Sequence, residues 1–229
     1  MKKRVLQAAF KDTLPVMTGY LVLGIGFGIL MQEKGYGILW SLGMSIFIYA
    51  GSMQYLAVSL LTGGVSLVTA ALTTLMVNAR HLFYGISMVE RYRGTGKTKP
   101  YLIFALTDET YSLVSSNAPQ GISYHRYCLL VSVLDHCYWV AGSAIGSLLG
   151  NILPINFEGI DFALTALFVT VFVEQWLSTK EHRPALIGVM STLACLLLFG
   201  SQVFLIPSMV LIAVLLLLLP RAGKEARHG

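Results

Sequence analysis

Ionisable and amide side chains interrupt stretches that are otherwise apolar enough to cross a bilayer. Asn78, Arg80 and His81 fall in one such stretch, Asp108 and Glu109 in the next, Asp135 and His136 in a third, and Glu174 and Gln175 in a fourth. A charge near the middle of a membrane helix costs about 2.5 to 3.5 kcal/mol on insertion scales, so these groups are expected to be paired, hydrated or functional. The pattern reads as a polytopic membrane protein with a polar path through it.

Three motifs carry the chemistry. In VNARHLFYGISM, residues 77–88, helical spacing puts Asn78, His81 and Gly85 on one face and Arg80 and Tyr84 on an adjoining one. Arg80 then serves either as a fixed cation for a carboxylate or as an internal partner of Asp108 or Glu109, and His81 either carries a proton near neutral pH or is a hydrogen-bonded core group. In TDETYSL, residues 107–113, Asp108, Tyr111, Ser112 and Ser115 share one side, with Glu109 beside Ser112. Adjacent carboxylates in a low dielectric suit a group that loads and releases a proton or an ammonium. In AGSMQYLAVSLL, residues 50–61, Gly51 and Ser52 mark a possible helix break, and Gln54 offers either polar contacts to a solute or plain interhelical hydrogen bonding.

The elements that must position these motifs are helices. Apolar runs cover residues 13–31, 38–62, 65–89, 100–116, 127–150, 160–178, 184–200 and 203–220, giving eight segments in an all-α membrane bundle of one domain, residues 1–229. The fourth is the weakest. Its two carboxylates cost roughly 5 to 7 kcal/mol against about 0.5 gained per Leu or Ile, so it must be shielded by neighbours or be re-entrant. The basic Arg91 to Lys99 loop disagrees with an eight-span topology, which leaves six full crossings as the other solution. The GxxxG steps at Gly24 and Gly28, and at Gly142, Gly146 and Gly150, predict close helix packing. A faint internal repeat pairs residues 47–56 with 168–177.

Composition excludes much else. Of 229 residues, 55% are hydrophobic and 12% charged, and the net charge of +5 sits on short helix flanks, which is a topology signal rather than a nucleic-acid surface. Cys128, Cys137 and Cys195 lie in apolar segments without CxxC spacing, so they read as small hydrophobes. GTGKT at residues 94–98 lacks the earlier glycine of a phosphate loop, because Arg91 occupies its place. No HExxH or other catalytic signature occurs, so neither an enzyme nor a cofactor or metal site is expected.

At GSMQYLAVSLL, NARHLFY and TDETYSL, in that order and spacing, the chain resembles the AzlC family of branched-chain amino acid exporters. The resemblance implies a secondary transporter of the bacterial inner membrane that acts with a small membrane subunit of the AzlD type. It also implies efflux of leucine, isoleucine, valine or analogues; the alternative is a membrane subunit of an ABC-type amino acid permease, or a carrier of another small zwitterion. On this reading the substrate or proton pathway comprises Gln54, Asn78, Arg80, His81, Tyr84, Asp108, Glu109 and Tyr111. Arg80 or a broken-helix N-terminus takes the substrate carboxylate, Asp108 or Glu109 its ammonium, and Leu82, Phe83 or Met88 its side chain. A proton moving inward through Asp108, Glu109 or His81 drives export.

Overall fold

The computed structural model describes residues 2–152, 181–200 and 204–218, with scattered positions between 162 and 179. Glu174, Gln175 and much of the expected 160–178 segment lie outside the described residues. Among the described residues every regular element is helical, in two compact units, residues 1–167 and 168–229.

In the first unit, α1 (Lys2–Glu33) begins eleven residues before the apolar run that announces it. The helix continues through Lys11 and Asp12 because Val5 and Ala9, one turn apart, are buried while Lys11 points to solvent and Asp12 accepts a 2.8 Å hydrogen bond from Tyr127. Its partner is α7 (Tyr124–Ile152). Among the described residues these are the two helices long and apolar enough to cross a bilayer.

The two helices meet through glycines. A Cβ added at Gly24 would lie 3.0 Å from the Cα of Gly142, and one at Gly146 would lie 2.0 Å from the carbonyl oxygen of Ile25. The two GxxxG steps therefore pack against each other, backbone to backbone, as small residues allow. Ser147 Oγ donates across the same seam to the Gly28 carbonyl at 3.2 Å.

The second predicted segment is two helices, α2 (Gly37–Phe47) and α3 (Gly51–Thr62). At the break Tyr49 takes φ 46°, a left-handed conformation that a bulky residue adopts only when its surroundings hold it there. Its ring is buried and stacks on His136 at 4.2 Å between centroids. The Tyr49 amide bonds back to Met44 rather than Ser45, and the Ser45 carbonyl so released accepts from His136 Nε2 at 3.2 Å. The Tyr101 hydroxyl lies 3.2 Å from the other ring nitrogen. His136 thereby caps the break, meeting the rule that buried backbone groups find partners.

After α4 (Leu67–Met88), which Ser66 caps through the Thr69 amide, a 3₁₀ turn at Gly96–Thr98 leads into α5 (Lys99–Phe104) and α6 (Asp108–Val114). At 1.5 Å per residue these last two are about 9 and 10 Å long, so the 100–116 segment is not one continuous crossing helix. Thr107 caps α6, accepting from the Thr110 amide at 3.2 Å, and Asp108 and Glu109 occupy the first turn, where the helix dipole favours carboxylates. The fold positions the acidic motif by ending one short helix and starting another.

In the second unit α8 (Arg183–Phe199) packs on α9 (Leu205–Leu218). Pro184 lies in the first turn of α8, where a missing N–H costs no helical bond.

Candidate functional site

Arg80, near the middle of α4, is the hub. One terminal nitrogen pairs with Asp108 Oδ2 and the other donates to Ser52 Oγ at 2.5 Å, while Tyr84, one turn further on, donates to Asp108 Oδ1. The guanidinium fork therefore ties α4 to the beginnings of both α3 and α6, the second halves of the two broken segments. Arg80 and Asp108 are each about one-third exposed, so the pair is open at one side.

The surrounding residues complete a half-buried polar face. The Tyr111 ring stacks on Tyr84 at 4.5 Å and its hydroxyl accepts from Ser87 at 3.0 Å. His81 donates through Nδ1 to the Asn78 carbonyl at 3.2 Å and meets Tyr84 edge to face at 5.9 Å. Two buried polar atoms of α4, Arg80 Nε and Asn78 Oδ1, have no hydrogen-bond partner among the described residues. A spare cationic donor and a spare amide acceptor are what a zwitterion needs at its two ends.

Helix α3 begins at Ala50 without a side-chain cap, so its first amides carry the positive end of the helix dipole uncompensated by a hydroxyl or carboxylate. Gly51 lets this end approach closely: a Cβ there would sit 2.9 Å from the Trp139 ring. Sequence reasoning located this break within three residues, but the capping role of His136 and the left-handed Tyr49 have no local signal.

Gln54 is fully buried and both ends of its amide are engaged. It accepts from Trp139 Nε1 at 2.9 Å and donates to Ser45 Oγ at 3.2 Å, which in turn donates to Ser143 Oγ at 2.7 Å. This is the interhelical bonding reading, joining α3 to α2 and α7. Of the apolar residues expected near a substrate, Leu82 and Phe83 are exposed on α4, and Met88 is buried against Val5, Ala9 and Leu102.

Among the described residues Arg80 forms its ion pair with Asp108 and not with Glu109. Glu109 accepts from Tyr20 at 2.8 Å, and Tyr20 contacts Thr107 Oγ1 at 2.6 Å. Tyr20 on α1 was missed by sequence reasoning, since one tyrosine in an apolar helix carries no periodic signal. Thr107, followed by two acids, was detectable as a cap.

A sequence profile of the AzlC protein family matches residues 15–153, a range that holds all the motifs above. The chain belongs to the AzlC family. It is 44% identical over 221 residues to the branched-chain amino acid transport protein AzlC of Bacillus subtilis, covering 96% of this chain and 87% of that one. An uncharacterised membrane protein of Haemophilus influenzae is 41% identical, with 95% and 89% covered. The inner membrane protein YgaZ of Escherichia coli is 27% identical, with 89% and 84% covered. No solved structure matches the chain. Family membership and the apolar helices together make this a helical membrane protein.

Proposed function

We propose that the protein is a multi-pass inner-membrane transporter that exports leucine, isoleucine, valine or close analogues, coupled to inward proton movement and assisted by a small AzlD-like membrane subunit. The observation that carries the reading is the Arg80 face: a cation with an unused Nε and a paired carboxylate beside the uncapped N-terminus of α3, and on the same helix α4 an Asn78 amide oxygen with no partner among the described residues. Transporters of several folds place substrates at such broken helices, with half-helix N-termini facing anionic groups. The substrate carboxylate binds Arg80 Nε and the α3 amides, and its ammonium binds Asp108 or Asn78.

Similarity to the Bacillus subtilis transport protein supports the substrate class. A subunit partner would find a face on the exposed apolar surface of α4, where Leu67, Val68, Leu75 and Ile86 are open. Coupling is supported by the placement of Asp108 and Glu109 at a helix start within reach of both Arg80 and Tyr20.

The test is efflux of the three amino acids from dipeptide-fed cells that lack their own exporters, expressing this chain with the small subunit, with and without a protonophore. Efflux that collapses with the gradient is expected. Asp108→Asn should abolish that efflux while leaving the protein in the membrane; normal efflux from this variant sinks the assignment of Asp108, and efflux that ignores the protonophore sinks the coupling.

A further inference from the structure

Behind Glu109 a line of hydroxyls runs into the protein. Glu109 Oε2 is 2.8 Å from Tyr20 Oη, Tyr20 is 2.6 Å from Thr107 Oγ1, Thr107 is 3.1 Å from Thr110 Oγ1, and Thr110 is 2.8 Å from Asp135 Oδ2. Every step lies within the range over which positioned groups exchange protons, roughly 2.6 to 3.2 Å. The line has a half-buried carboxylate at one end and a fully buried one at the other.

Asp135 has no evident structural reason to be there. It is completely buried on α7, and among the described residues its Oδ1 has no hydrogen-bond partner and no cation pairs with it. The ionisable groups nearest it are the phenols of Tyr49, Tyr101 and Tyr127 and, along the relay, Glu109. His136 next to it is committed to Ser45 and Tyr101, and Arg80 to Asp108 and Ser52.

Along this line three hydroxyls supply three hydrogens for four contacts, and the buried Tyr49 hydroxyl, which makes no hydrogen bond among the described residues, adds none to them. With both carboxylates ionised, Tyr20 must donate to Glu109 and Thr110 to Asp135, and the single hydrogen of Thr107 serves one neighbour only. One contact is then left oxygen to oxygen with nothing between, although the Tyr20 to Thr107 contact is the shortest of the four at 2.6 Å. With one extra proton, on either carboxyl group, all four contacts are filled and every donor points the same way.

We propose that Glu109 and Asp135 share one proton, passed between them through Tyr20, Thr107 and Thr110. In the step from Glu109 toward Asp135 the Glu109 O–H bond breaks as Tyr20 oxygen takes that proton. Tyr20 gives its own to Thr107, Thr107 to Thr110, and Thr110 to Asp135 Oδ2. One proton leaves Glu109, one arrives at Asp135, each hydroxyl keeps one hydrogen, and no electrons move. Rotation of the three hydroxyls resets the line. The purpose of the relay rests on the transporter reading: it lets Asp135 hold the proton while the Arg80 face handles the solute.

Tyr20→Phe cuts the line beside Glu109 and Thr110→Val cuts it beside Asp135, the latter at nearly constant volume. Infrared spectra of the purified full chain in lipid nanodiscs should contain one protonated-carboxyl stretch near neutral pH, and both variants should alter that same band. No such band, or two bands each answering to one variant only, overturns the shared proton. In proteoliposomes with the small subunit, both variants should lose gradient-driven efflux by about 100-fold or more, while leucine exchange across the membrane without a gradient stays near wild type. Gradient-driven efflux that persists in both overturns the relay as a coupling path. If the wild type moves no amino acid, the transporter reading falls, and the infrared result still decides the relay.

Discussion

Replacing Gly146 by Ala tests the tightest of the described glycine positions. The new Cβ would lie 2.0 Å from the Ile25 carbonyl oxygen and 2.7 Å from the Ile25 Cα. Ordinary contact begins near 3.4 Å, so α1 and α7 have to part by about 1.4 Å at this level. The obstruction is backbone, which cannot rotate aside as a side chain would. Overpacking costs about 1 to 3 kcal/mol, and a backbone clash belongs at the top of that range, about 3. Alanine recovers about 1 kcal/mol of helix propensity, so the net expectation is about 2 kcal/mol of destabilisation. Gly19→Ala, on α1 with nothing within 4 Å, is the control, and gains the propensity alone. A mixed-micelle denaturation titration of the purified chain should therefore separate the two variants by about 3 kcal/mol, with wild type between them. If Gly146→Ala is as stable as Gly19→Ala, the glycine seam is not what joins the two helices.

Two further changes probe the polar groups. Gln54→Leu strands the Trp139 indole N–H and removes a donor from Ser45, and each orphaned buried group costs about 1 to 3 kcal/mol, so the same titration should show a loss of at least about 1 kcal/mol; a neutral result removes the network from the account of the fold. Arg80→Lys keeps the charge but cannot reach Asp108 and Ser52 through two separate nitrogens. Efflux is expected to fall about tenfold or more, because a hydrogen bond to a charged group is worth about 1.5 to 3 kcal/mol. Stability should change by less than about 1 kcal/mol, since the pair is partly exposed. Unchanged efflux would show that charge alone suffices at position 80.

Much of the candidate site was legible because its residues are costly where they stand. Arg80 and Asp108 announce themselves by interrupting apolar runs, and desolvation supplies the reason for them to meet. The glycine spacings announced close helix contact in the same way, and α1 and α7 meet through them. What was not legible were neutral groups, since Tyr20, Thr110 and Trp139 are inexpensive in an apolar helix and stand out only by what they touch. The start of α1 was also hidden: Lys11 and Asp12 end the apolar run, and only the tertiary partner Tyr127 shows why the helix passes through them.

By itself the sequence determined that the chain is helical and apolar enough for a membrane, and that the charged groups at 80 and 108–109 have to be paired, hydrated or functional. Hydrophobic length and the cost of buried charge act residue by residue, so they can be read from the sequence. Only the tertiary structure decided which carboxylate Arg80 takes, that Gln54 serves the core, and that Glu109 faces a hydroxyl line ending at Asp135. Those choices depend on hydrogen bonds between groups as many as 89 residues apart, at tenths of an ångström, and on a left-handed Tyr49 held by packing against His136. Directional bonds over such separations leave no period or composition in the chain that makes them.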